Sequence, residues 1–182
     1  MILLDGLATS SKIKTEIYEE VFKLKNNGKR APHLAAIIVG NNSASITYIN
    51  NKIKACKQVG FESTIINLPE KSSEKTLLEK IYELNSNPII DGFIVQLPLP
   101  KHLDEKKILM SISPDKDVDG FHPLNVGKMV LELPTLLPAT PYGIMELLDR
   151  YSIETSGKQV LIIGRSHIVG RPISILLSQK KK

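Results

Sequence analysis

The chain has 182 residues, of which 42% are hydrophobic and 24% are charged, so it can bury a core and is not predominantly disordered. The formal charge of +5 owes much to Lys180, Lys181 and Lys182, and the other basic residues are dispersed along a nearly neutral chain. With aromatic residues at 5% and no Trp, the composition argues against a nucleic-acid-binding protein.

The cysteine and hydropathy patterns set further limits. Cys56 is the single cysteine, which excludes an internal disulfide, and no Cys/His spacing fits a metal site, so no metal is predicted. The apolar N-terminal start is interrupted by Asp5, and no apolar run approaches the roughly 20 residues of a membrane span. We therefore expect a cytoplasmic protein without a membrane partner.

The first predicted elements alternate between helix and strand. Residues 11–27 carry apolar side chains at intervals of three and four, which predicts a helix. Residues 34–39 form an apolar run closed by Gly40, which is typical of a strand buried on both faces. Residues 41–43 offer N-caps for a helix that continues up to Gly60.

The same alternation then repeats, with a strand at 63–68, a helix at 73–85 and a strand at 92–97. Strands separated by about 30 residues with a helix between them indicate βαβ units and a parallel sheet, so the predicted class is α/β.

Five prolines between residues 113 and 141 predict an irregular stretch at a domain junction. Pro141 can open a helix that continues over 142–150, with Thr140 as its cap. The last predicted elements are a strand at 159–163, a glycine turn at 164–170 and a helix from about residue 171.

Two features at the predicted sheet edge suggest chemistry. Tyr48 and Lys52 stand four residues apart, so they share one helix face near the carboxyl ends of the strands, where α/β sheets bind ligands. The lysine would be an acid or base; alternatively it is a surface residue beside a half-buried tyrosine. Gln96 closes an apolar strand before Pro98, so its amide either fixes a ligand or lysine, or only satisfies loop backbone.

Two later segments are further candidates. Asp117 and Asp119 precede Gly120 and could hydrogen-bond a ligand or form a turn, and His122 is by default a packed or turn residue. The turn from Gly164 to Gly170 follows a predicted strand and precedes a helix, the context of a phosphate-binding turn.

The glycine turn also bears on the choice of cofactor. It lacks the G-x-G-x-x-G spacing, but Arg165 and Ser166 are suited to a phosphate, which favours NADP over NAD without deciding between them. A nucleophilic role for Cys56 finds no support, because no histidine stands in a context that pairs with it.

Together these motifs resemble the bifunctional methylenetetrahydrofolate dehydrogenase/cyclohydrolase (FolD) family. The matching stretches are VGNNSASITYINNKIKAC at 39–56, DGFIVQLPLPKHL at 91–103, PDKDVDGFHPLNVG at 114–127, PATPYGIMELL at 138–148 and GRSHIVGRP at 164–172. The resemblance implies a folate-binding catalytic domain at 1–120 and an incomplete Rossmann-like NADP-binding domain at 121–182. It also implies a homodimer in intact members.

The implied reactions are the NADP-dependent oxidation of 5,10-methylenetetrahydrofolate and hydrolysis of the methenyl product to 10-formyltetrahydrofolate. By resemblance, Lys52 is the key group of hydrolysis and Gln96 holds it. Tyr48 and Asp119 bind the folate, and Ser45 supports the site. The NADP phosphate turn falls on Gly164, Arg165, Ser166 and Gly170.

The sequence also departs from the family pattern. Ser43, Ala139 and His167 replace a common Pro, Cys and Asn, and similarity covers only the amino-terminal part of a family member. We therefore expect a truncated chain whose dehydrogenase step is impaired. The alternatives are a non-catalytic remnant that binds folate or pairs with another subunit, and a small reductase unrelated to folate.

Overall fold

The computed structural model describes residues 3–179, and their contacts form two compact units. One unit spans Ser11–Asp117, and the other joins the described residues up to Ser10 to those from Val118 onward. The elements are α1 (Gly6–Asn26), β1 (His33–Val39), α2 (Ser43–Gln58), β2 (Glu62–Leu68), α3 (Glu74–Ser86), β3 (Gly92–Val95), α4 (Glu105–Met110), α5 (Pro123–Val130), α6 (Ala139–Arg150) and α7 (Gly170–Ser178).

The first unit is built on a three-stranded parallel sheet in the order β2-β1-β3. The central strand β1 is buried on both faces, because successive side chains of a strand point to opposite sides. Ala35, Ile37 and Val39 pack in a core cluster with α3, while Ala36 and Ile38 are buried on the other face. The α/β class and the parallel sheet predicted from the sequence are confirmed.

Several predicted boundaries shift. The first helix begins earlier than predicted, at Gly6, and β3 ends at Val95, two residues short of the prediction. The stretch predicted to be irregular contains α5, which has Pro123 in its first turn, where a missing N–H costs no helical hydrogen bond. Thr140 is not the cap of α6, since Pro138 occupies that position and no side chain caps the helix.

The prediction of a strand at 159–163 is wrong. Within residues 3–179 this run is assigned to no strand and pairs with none. Leu161 and Ile163 are 85% and 95% exposed. A β-strand needs neighbours that take up its backbone hydrogen bonds, and all three described strands belong to the other unit.

None of the helices between residues 3 and 179 combines the length and the apolar character that crossing a bilayer requires.

Candidate functional site

The chain leaves the carboxyl end of β1 and turns directly into α2. Asn42 caps the helix with extended backbone, and its side-chain oxygen accepts a hydrogen bond from the Ser45 amide at 3.0 Å. This is one of the caps predicted from the sequence. Ser45 itself is buried, with 6% of its surface exposed, so it belongs to the packed base of the helix.

Tyr48 and Lys52 share one face of α2, as predicted. The Lys52 ammonium nitrogen lies 4.7 Å from the centroid of the Tyr48 ring, which is a cation–π contact. Lys52 is half-buried, whereas 53% of the Tyr48 surface remains exposed. The arrangement therefore presents an aromatic ring to a ligand with a cation held against it.

Gln96 follows β3 at the same edge of the sheet, since parallel strands end on one side. Its backbone amide continues the pairing with β1 by donating to the Ile37 carbonyl at 2.9 Å. Its side-chain nitrogen donates to the Leu97 carbonyl at 2.6 Å. The alternative in which Gln96 satisfies loop backbone is therefore realised at its nitrogen, and the amide oxygen is the end suited to accept from an ammonium.

A cavity of about 350 Å³ opens at this edge, between the ends of all three strands. It is lined by residues 39–42, Glu70 and residues 98–100. Glu70 was not predicted from the sequence, although its place two residues after the predicted strand 63–68 is a signal that points to the sheet edge. Cys56 has no role here, because burial raises the pKa of its thiol and so disfavours the nucleophilic thiolate.

The two predicted aspartates lie on either side of the division between the units. Asp117 is 3% exposed and forms a parallel bridge with Phe93, so it is a structural residue of the first unit. Asp119 is half-buried in a turn of the second unit. His122 caps α5 by accepting from the Leu124 amide at 3.1 Å, which confirms the default prediction of a turn residue.

Gly120, directly after Asp119, has φ near +69°. A Cβ there would lie 2.7 Å from the Leu137 carbonyl carbon and the Pro138 nitrogen, so only glycine fits. The described residues contain no group of three or more His, Cys, Asp or Glu side chains placed to hold a metal ion.

The glycine turn of the second unit leads directly into α7. The Ser166 hydroxyl accepts from the Val169 and Gly170 amides, both at 3.1 Å, and so caps the turn. A Cβ on Gly170 would lie 2.5 Å from the Gly164 carbonyl oxygen, so no side chain fits at Gly170. Arg165 is exposed. A glycine turn at a helix N-terminus with an adjacent arginine fits the phosphates of a dinucleotide.

The sheet edge and the glycine turn thus define an α/β protein with one candidate site for an aromatic ligand and one for a phosphate-bearing ligand. Two family models match the chain. The catalytic domain of tetrahydrofolate dehydrogenase/cyclohydrolase matches residues 4–119, and the NAD(P)-binding domain of the same family matches residues 138–182.

Relatives and solved structures give the same result. The chain is 61% identical over 180 residues to the bifunctional protein FolD of Flavobacterium johnsoniae, covering 99% of this chain and 61% of the relative. The corresponding protein of Cytophaga hutchinsonii is 59% identical over 98% of this chain and 62% of its own. The crystal structure of the Campylobacter jejuni bifunctional enzyme FolD superposes with a TM-score of 0.95 at 48% identity, over 97% of this chain and 63% of that one.

The Trypanosoma brucei FolD, solved with NADP cofactor and an inhibitor, superposes with a TM-score of 0.92 at 35% identity, over 97% of this chain and 61% of that one. The chain therefore belongs to the tetrahydrofolate dehydrogenase/cyclohydrolase family. It spans about three fifths of the length of the curated relatives it matches, 61% for that of F. johnsoniae.

Proposed function

We propose that this chain hydrolyses 5,10-methenyltetrahydrofolate to 10-formyltetrahydrofolate, with Lys52 moving the proton. The observation that carries the proposal is the Lys52 ammonium held 4.7 Å from the centroid of the half-exposed Tyr48 ring. We propose the NADP-dependent oxidation of the methylene compound as the companion reaction, in line with the bifunctional name of the relatives.

Hydrolysis of the methenyl cation adds water to a carbon that bridges two nitrogens. The attacking water loses one proton as its oxygen bonds to this carbon, which gives a neutral hydroxyl adduct. One carbon–nitrogen bond then breaks with a proton delivered to the departing nitrogen, and the hydroxyl releases its remaining proton to solvent as the formyl carbonyl forms. Lys52 in its neutral form takes the first proton and returns one to the nitrogen.

The other residues bind and orient. The exposed Tyr48 ring stacks on the aromatic part of the folate, and the Gln96 amide oxygen accepts from the lysine. We propose that the Asp119 carboxylate accepts hydrogen bonds from the pterin, and that Ser45 supports the helix that carries Tyr48 and Lys52.

The chemistry that bound NADP would supply is acceptance of a hydride from the methylene carbon. Gly164 and Gly170 would let the phosphates approach the turn, Ser166 would hold the turn closed, and Arg165 would take the ribose 2′-phosphate. In the 182-residue polypeptide we expect dehydrogenation to be weaker than hydrolysis, because the run that leads into this turn, 159–163, forms no strand. A homodimer and a cytoplasmic location remain predictions, and sedimentation of the purified chain tests the first.

The test of the proposal is hydrolysis of methenyltetrahydrofolate, followed by loss of its chromophore, in the wild type, Lys52→Ala, Lys52→Arg and Lys54→Ala. Lys54 is the matched control, since it is an exposed lysine on the same helix. We expect Lys52→Ala to lose at least about 100-fold in rate and Lys54→Ala to retain activity. Lys52→Arg should also fail, because a guanidinium keeps its proton at neutral pH.

Equal activity of wild type and Lys52→Ala would overturn the assignment of Lys52. A folded wild type that binds folate without hydrolysing it would favour the non-catalytic alternative. For the companion reaction, NADP-dependent oxidation as fast as hydrolysis would contradict the expected weakness of that step.

A further inference from the structure

The carboxyl-terminal end of α3 is held by a lysine from another part of the chain. The last turn of α3 contains no basic residue, although the last carbonyls of a helix need donors and favour a cation. The Lys116 ammonium supplies both, donating to the Leu84 carbonyl at 2.9 Å and to the Asn87 carbonyl at 2.7 Å.

A second side chain ties the same two segments together. The Asn85 amide nitrogen donates to the Ser111 carbonyl at 2.8 Å, and its oxygen accepts from the Ser113 amide at 2.8 Å. Residues 111–116 are therefore joined to the end of α3 by side-chain hydrogen bonds at both of their ends. All of these bonds are partly buried, which protects them from competition with water.

The backbone of Lys116 is fixed as well. Its carbonyl accepts from the Phe93 amide at 2.9 Å, and its own amide donates to the Ser113 carbonyl at 2.9 Å. Phe93 has no exposed surface and pairs with Asp117 in a parallel bridge, so the core of the sheet sets the position of residues 116 and 117. Asp119 follows only two residues later in the chain.

We infer that Lys116 is a positioning residue for folate binding, an inference that rests on the proposed function and on the proposed role of Asp119 in it. Lys116 need not touch the substrate. Together with the pairing of Phe93, it holds the backbone of residues 116 and 117, from which the chain continues to Asp119. Loss of the ammonium leaves the Leu84 and Asn87 carbonyls with only their backbone donors, the amides of Asn87 and Ile90. It also removes the side-chain link between the end of α3 and the segment that precedes Asp119.

This role differs in a measurable way from a contribution to stability alone. Lys52, the residue proposed to move the proton, lies on α2, whereas the Lys116 ammonium is bound at the end of α3, so the chemical step should keep its rate once substrate is bound. A looser Asp119 weakens binding of substrate and transition state alike, which raises KM and leaves kcat nearly unchanged. We expect Lys116→Met to raise KM for methenyltetrahydrofolate about tenfold, with kcat within about twofold.

The experiment uses the full 182-residue chain as wild type, Lys116→Met, Lys116→Arg and Lys106→Met. Arginine keeps a charged donor for two carbonyls, so Lys116→Arg should restore most of the affinity. Lys106 is an exposed lysine on α4 and serves as the matched control. Hydrogen exchange of the amides at residues 117–120 is measured on the same samples, with circular dichroism to show that each variant is folded.

Faster exchange at 117–120 together with a raised KM in Lys116→Met, and neither change in Lys106→Met, would support the inference. Unchanged exchange, or faster exchange with an unchanged KM, would overturn it. Failure of the proposed function can be distinguished from failure of this inference. It would appear as absent hydrolysis in the wild type or as full activity in Lys52→Ala. Absent hydrolysis would also remove the functional role inferred for Lys116.

Discussion

Two apolar runs in this chain have similar sequences and different structures. Residues 34–39 and 159–163 are both short, rich in Val, Leu and Ile, closed by a glycine and followed by a helix. The first is the centre of β1, paired on both sides, and Ile37 has no exposed surface. The second pairs with no strand among residues 3–179, and Ile163 is 95% exposed. A run of this kind supplies the tendency to form a strand, and its neighbours decide whether one forms.

The largest effect we expect comes from the buried side chains of the first run. Ile37→Ala should lower the free energy of unfolding by about 3 kcal/mol, because it removes packed atoms from a full core and leaves a cavity. Ile163→Ala is its counterpart and should change stability by no more than about 0.5 kcal/mol. Urea unfolding followed by circular dichroism measures both. A similar large loss in Ile163→Ala would show that the second run is packed in solution.

The next largest effects should come from replacing the glycines in the turns that follow the two runs, Gly170 after 159–163 and Gly40 after 34–39. Gly170→Ala should cost roughly 2 kcal/mol in its turn, because a methyl group 2.5 Å from the Gly164 oxygen forces backbone apart. Gly40→Ala should cost about 1 kcal/mol, since its Cβ would meet Glu70 at an ordinary 3.4 Å and only the φ of +84° is unfavourable. Hydrogen exchange of the Val169 and Gly170 amides reports on the first substitution and urea unfolding on the second. The comparison fails if Gly170→Ala leaves these amides as protected as before.

The smallest effect concerns an ion pair between Arg30, just before β1, and Asp91, the residue before β3. Among the described residues, the run 159–163 has no equivalent ion pair. The Arg30 guanidinium donates to both carboxylate oxygens of Asp91, at 2.6 and 2.7 Å. These bonds hold the pKa of Asp91 below its usual value of about 3.9. Above that pH the ion pair adds to the free energy of unfolding. This contribution is lost as the pH falls through the lowered pKa of Asp91 in the folded chain.

Asp91→Asn should therefore be less stable than the wild type at neutral pH, and the difference should shrink as the pH falls below about 4. The effect is small because both side chains are about half exposed to solvent. Urea midpoints over a pH series measure it, with Asp115→Asn at an exposed site as the control. A difference between wild type and Asp91→Asn that stays constant down to pH about 2 would contradict the role of this ion pair.

Sequence periodicity was sufficient for the first unit from α1 to β3, because each of these elements carries its own signal, whereas the short helix α4 was not predicted. The apolar run of β1 and the cap at Asn42 are local features, and the four-residue spacing places Tyr48 and Lys52 on one face of any helix. The helix α5 was missed because its first-turn proline was one of five in a stretch interpreted as irregular. The same residue is compatible with a helix start, and only the following apolar positions distinguish the two cases.

The residues of the candidate site also fall into two groups, those that the local sequence reveals and those that only the structure reveals. Its chemical groups can be found in the sequence, because a lysine one turn from a tyrosine and an amide before a proline are visible in the residue order. Lys116 and Asn85 could not be found in this way, because their partners lie on other elements. Their contacts join residues about 30 positions apart, and no short pattern encodes such a pairing.

By itself the sequence determined the α/β class, the order of helices and strands from α1 to β3, and the face on which Tyr48 and Lys52 lie. These follow from local sterics and hydrophobic periodicity, which act within a few residues. Only the tertiary structure decided that 34–39 is a strand while 159–163 is not, and that Lys116 holds the end of α3. Strand pairing and helix capping between distant segments depend on which groups meet in space, and that is set by the packing of the whole unit.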